Sequence, residues 1–124
     1  MTDKVLEIQK RVQAAREDMI QFMLEMCEIP SVDSQIGPVG ERVQAEMKKL
    51  GFDEVRFDKM GNTIGRIGNG KRVIVYDSHI DTVGVGDLAS WKWDPFKGKI
   101  EDGNSYASGA CDKKESTRGL IHGF

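Results

Sequence analysis

Apolar residues recur at Val5, Ile8, Val12, Ala15, Met19, Phe22 and Met26, in steps that alternate three and four. That spacing predicts a single long helix from Asp3 to about Ile29. Ile20, Met23, Leu24 and Cys27 widen the stripe in its second half, so the C-terminal turns are expected to be the better buried. Pro30 closes the helix, because its ring disfavours helical geometry at the preceding residue. Charges along the stripe are scattered rather than paired along a seam, which favours packing against a sheet over a coiled coil.

Gly37-Pro38 opens a second helix with proline in its favoured first turn. Val39, Val43, Met47 and Leu50 share one face of it, and Gly51 suits the position just past its end. Three strand-like runs follow, Glu54–Asp58, Asn62–Ile67 and Arg72–Tyr76, separated by Lys59-Met60-Gly61 and Gly68-Asn69-Gly70. The third carries the continuous run Val73-Ile74-Val75, as expected of an inner strand covered on both faces. Farther on, Lys99–Glu101 and Ser105–Ala107 are expected to pair as a hairpin across Asp102-Gly103-Asn104. Leu120, Ile121 and Phe124 suggest the first turns of a last helix. The order predicts an α/β fold, an incomplete mixed sheet with flanking helices. An inner strand needs more neighbours than this chain supplies, which is why the sheet is expected to be incomplete.

Composition narrows the function classes. Of 124 residues, 39% are apolar and 31% charged, the profile of a globular protein with one ordinary core. With 18 basic against 20 acidic residues, the net charge of −2 gives no electrostatic reason to expect nucleic acid or an anionic membrane as partner. The stretch Val73–Val75 is far too short to span a bilayer. Met1–Gln13 is polar and charged, unlike a signal or transit peptide. Cys27 and Cys111 form no C-x-x-C spacing, and a reduced, cytoplasmic setting is the simplest expectation.

The chemistry concentrates in Val73-Ile-Val-Tyr-Asp-Ser-His-Ile-Asp-Thr-Val83. A strand of an open α/β sheet would deliver His79 and Asp81 at its C-terminal end, where ligand sites gather. Two residues apart on a strand, they share a face, so Asp81 can fix the imidazole tautomer and raise its basicity toward a metal. A His–Asp pair that only stabilises a loop is the alternative, since H-x-D is a short pattern. The second informative segment runs from Trp91 to Asp112.

Together the two segments resemble the co-catalytic zinc peptidases and deacylases, the family of aminoacylase, acetylornithine deacetylase, succinyl-diaminopimelate desuccinylase and glutamate carboxypeptidase. Ser78-His79-Ile80-Asp81-Thr82-Val83, Trp93-Asp94-Pro95-Phe96, Asp102-Gly103 and Gly109-Ala110-Cys111-Asp112 match that family's motifs in order. Ile29-Pro30-Ser31 and Gly61-Asn62 also fit, and the loop His79–Gly86 is most similar to that of hydrolases linked to selenium metabolism. The resemblance implies two zinc ions, with manganese or cobalt as substitutes. His79 would bind one ion, Asp112 would bridge both, and Asp81 would be the catalytic carboxylate behind the imidazole. The implied substrate is a small peptide or N-acyl amino acid, cleaved at its amide bond.

The chain departs from the family pattern at Ser108, where Arg is usual, and at Glu115-Ser116, where Gly-Gly is usual. By the same resemblance, residues 1–124 are the N-terminal portion of the catalytic domain. The general-base Glu, two further acidic ligands, a final His and a small dimerisation domain would lie beyond Phe124. The expectation is a truncated hydrolase, silent by itself and prone to self-association. A non-catalytic metal-binding or interaction module and one half of a split enzyme are the competing readings. His122 reads as an ordinary surface or packing residue, Cys111 as a small packing residue and the two tryptophans as cover for the loop before the hairpin. Lys113, Lys114, Glu115 and Arg118 read as a solvated charge cluster, in which Lys114 also matches the Lys of the family's Asp-x-Lys pattern.

Overall fold

The computed structural model describes residues 3–32 and 34–123, so Phe124, counted above toward the last helix, lies outside the described residues. The first apolar stripe forms two consecutive helices, α1 (Asp3–Ala14) and α2 (Arg16–Glu28), rather than one. The helical hydrogen bonds run on through the junction, Ala15 N–H to Arg11 O at 3.0 Å and Met19 N–H to Ala15 O at 2.9 Å. The two halves differ in burial as the stripe predicts. No residue of α1 is buried, whereas Phe22, Met23, Met26 and Cys27 of α2 are. Packing against a sheet is not what buries them: α2 lies against the third and last helices, while Val5, Leu6, Ile8 and Val12 of α1 stay exposed.

Helix α3 (Gly37–Lys49) starts at the expected glycine and ends where Gly51 N–H bonds to Lys48 O and Phe52 N–H to Met47 O, both at 3.1 Å. Those are the two bonds of a Schellman ending. Val39 and Val43 enter the core with Phe22, Met26 and Ile121, and Met47 packs at its edge. The same helix sits on the hairpin β1 (Glu54–Phe57) and β2 (Thr63–Arg66), paired antiparallel with Val55 opposite Gly65. Gly65 permits this approach, because a Cβ there would run into Met47 Sδ and the Phe52 ring.

Arg72–Tyr76 is not a strand. Strands exist through backbone bonds to neighbours, and among the described residues no strand pairs with Val73, Ile74 or Val75, which are 68%, 77% and 81% exposed. A short 3₁₀ turn at Leu88–Ser90 precedes the second hairpin, β3 (Lys99–Glu101) with β4 (Asn104–Tyr106). Its register sits one residue earlier than the sequence suggests, with Glu101 opposite Asn104. Asp102 and Gly103 then form a two-residue turn with φ of 51° and 77°, the left-handed pair that suits tight hairpins. A wide turn, Ala110–Lys114, leads into α4 (Glu115–His122). The fold is α/β, with helices around one small core and two separate antiparallel hairpins.

Candidate metal centre

Two segments meet at the site, and local contacts dictate where each lies. The segment carrying His79 and Asp81 is tied down at Thr82, whose N–H donates to Ser31 O at 2.9 Å beside a parallel bridge to Val32. Ser31 is fully buried just past the end of α2, so that helix end sets the position of the segment. Asp112 arrives on the turn before α4. Gly109 enters that turn with φ of 70°, and a Cβ there would collide with the Thr82 methyl. Only glycine combines this left-handed geometry with so close an approach. Asp112 itself leaves the helical path, with φ of −127° and ψ of 88°.

The imidazole of His79 lies between two carboxylates. Its Nδ1 is 3.3 Å from Asp81 Oδ1 and 3.2 Å from Asp81 O, and its Nε2 is 3.3 Å from Asp112 Oδ1. Asp81 thus reaches the ring as the two-residue spacing suggests, although among the described residues its segment pairs only through the single bridge at Thr82. Both Asp81 oxygens near Nδ1 are acceptors, which assigns a proton to that nitrogen. Nε2 of the neutral ring then turns a lone pair toward the Asp112 oxygen. Two acceptors face each other across 3.3 Å, and either a second ring proton or a cation satisfies them. The donor set, one imidazole and one carboxylate, fits a divalent ion such as zinc in kind. It falls short in number: among the described residues no group of three His, Cys, Asp or Glu is set to hold an ion.

The inner side of the site rests on Lys114 and Thr117. Lys114, expected in a solvated charge cluster, is instead 1% exposed. Its ammonium donates to Met26 O at 2.7 Å and to Ile29 O at 3.3 Å, capping the carbonyl end of α2. Burial pulls this amine below its ordinary pKa. Thr117, also buried, shares a 2.9 Å hydrogen bond with Ser78 Oγ and donates toward His79 O at 3.3 Å or Lys113 O at 3.4 Å. The steps from Lys114 to Thr117 to Ile121 are three and four, the one signal in the sequence that marks them as an inward face.

Other polar and aromatic residues take plainer places. Asp87 caps the 3₁₀ turn by accepting from Ala89 N–H at 2.9 Å. Cys111 is exposed, not packed, because the turn directs it outward, whereas Cys27 is buried and its thiol is pushed up by burial. The His122 side chain is 2% exposed, between the Phe22 ring and Glu46. Trp91 bonds Val85 O at 2.8 Å and meets Trp93 edge-on, and Trp93 meets Tyr106 in the same way, so the pair covers its loop as expected.

Residues 75–124, which hold His79, Asp81 and Asp112, match the model of peptidase family M20/M25/M40. Over that segment the chain is similar to that family. Uncharacterized protein YgeY of Escherichia coli K12 is 38% identical over 118 residues, covering 95% of this chain and 28% of that protein. Succinyl-diaminopimelate desuccinylase of Cereibacter sphaeroides is 32% identical over 108 residues, covering 84% of the chain and 28% of the enzyme. The enzyme of the same name from Acinetobacter baylyi is 30% identical over 108 residues, covering 86% and 29%. The chain therefore spans a little over a quarter of the length of these relatives. Among the described residues, no helix is long and apolar enough to cross a membrane.

Proposed function

We propose that this chain supplies one corner of a metal-dependent amide hydrolase site, as the N-terminal portion of an M20-type catalytic domain. The observation that carries the reading is the Asp81–His79–Asp112 alignment, with a carboxylate at each ring nitrogen. His79 Nε2 and Asp112 would hold the ion, and the proton on Nδ1, kept there by Asp81, leaves Nε2 free to act as ligand. When bound, divalent ions would supply acidification of a water and polarisation of the scissile carbonyl. The chain's own residues orient the ring, fix its tautomer and hold the Asp112 carboxylate opposite it. The names of the desuccinylase relatives favour a deacylase acting on an N-acyl amino acid, with small peptides as the other substrate class. Likeness to selenium-linked hydrolases rests on the loop His79–Gly86 alone.

Two ligands do not complete a shell, which favours a site finished by residues outside this chain. By itself the chain should then bind zinc weakly and hydrolyse nothing. Calorimetry with Zn²⁺ on the wild type, His79→Ala and Asp112→Asn tests this. Weak binding is expected, and either substitution should abolish it. Binding that survives both substitutions contradicts the assignment.

A further inference from the structure

Lys114 and Thr117 stand three residues apart at the start of α4, and each fixes one half of the site from the buried side. Lys114 is two residues from Asp112, and its buried ammonium is bound to the last carbonyls of α2. That contact fixes the turn bearing Asp112 to the same helix end from which Ser31 holds Thr82. Thr117 reaches the other half. A hydroxyl has one proton to give and two lone pairs to offer. With Ser78 donating to it, Thr117 can direct its own proton to the carbonyl of His79 or of Lys113, the two chain segments that must stay in register.

We propose that Lys114 and Thr117 are positioning residues that set the separation between His79 and Asp112. Neither hydrogen-bonds to the imidazole or the Asp112 carboxylate. They act through backbone: Lys114 on the Asp112 turn, Thr117 on the main chain of His79. This inference rests on the metal-centre reading above only for its second readout, since the clamp acts on the metal-free chain as well.

The test uses the full chain and three variants. Thr117→Val removes the hydroxyl at nearly constant volume, and Thr117→Ser keeps it. Lys114→Arg keeps the charge but changes the reach to Met26 and Ile29. In metal-free protein, NMR of the His79 ring, to which neither side chain hydrogen-bonds, should show shifted or broadened signals in Thr117→Val and Lys114→Arg. Thr117→Ser should restore the wild-type signals, which a mere loss of stability would not arrange. Titration with Co²⁺ alone, followed by visible absorbance, should show affinity falling about tenfold in Thr117→Val and returning in Thr117→Ser. A His79 ring unmoved in both altered variants overturns the proposal, as does a Thr117→Ser variant that behaves like Thr117→Val. If Thr117→Val does not fold, Lys114→Arg against the wild type decides by the same signal. If the wild type takes up no cobalt, the metal reading falls while the ring signals still decide the clamp.

Discussion

His122 carries the clearest consequence at the scale of one residue. Its side chain is buried with Nε2 3.2 Å from Glu46 Oε1, in contact distance but without hydrogen-bond geometry. Arg42 bonds Glu46 at 2.8 Å and Glu25 at 2.7 Å, its guanidinium lies 4.6 Å from the Phe22 ring centre, and Lys49 and Asp18 stand nearby. Burial lowers the His122 pKa against the opposing pull of Glu46, so the folded protein resists protonating it. The unfolded chain therefore takes up the proton first as pH falls, and stability drops from about pH 6.5 downward until the folded form protonates too. The slope from this one group is at most about 1.4 kcal/mol per pH unit. Urea unfolding at pH 7.5 and 5.5 should show a larger loss for the wild type than for His122→Gln. Equal losses would mean that burial of His122 is not what the pH acts on.

Among the elements, helices were the most legible, because a repeat of three and four residues is satisfied by local bonds and one apolar face. The stripe through Phe22 and Met26, the Gly37-Pro38 start and the ending at Gly51 all lie where the pattern puts them. Arg72–Tyr76 was misread for a physical reason. Apolar content says that a segment wants covering, but a strand also needs partners, and the pattern of one segment does not contain them. The candidate site was legible at His79, Asp81 and Asp112 as a motif, while the proposed support at Lys114 and Thr117 was hidden in what looked like a charged surface. Gly109 joins the two segments, and its role is testable at this scale. Gly109→Ala forces a side chain into left-handed geometry at a cost of about 1–2 kcal/mol, and pushes against Thr82 as well. A urea midpoint corresponding to at least that loss is expected; a variant as stable as the wild type would show that the turn can move freely.

The whole molecule exposes more surface than its mass warrants. Its accessible area is 8952 Å², where a folded monomer of this size exposes about 6,700 Å². Much of the excess is apolar: Val73, Ile74 and Val75, and the stripe of α1 from Val5 to Val12. Contiguous apolar surface of this kind favours association, so sedimentation equilibrium of the purified chain should report dimers or larger species. A monomer across a wide concentration range would show that these surfaces are tolerated in water.

The metal assignment has its own sharpest test in the identity of the donor atoms. Cys111 is exposed and adjacent to Asp112, so a sulfur donor is at hand to compete for a soft ion. X-ray absorption at the zinc edge on the chain loaded with one equivalent of Zn²⁺ distinguishes the two outcomes. An ion held by His79 and Asp112 should show a shell of nitrogen and oxygen donors at about 2.0–2.2 Å with one imidazole, lost in His79→Ala. A sulfur donor at about 2.3 Å, or a shell without imidazole, would contradict it.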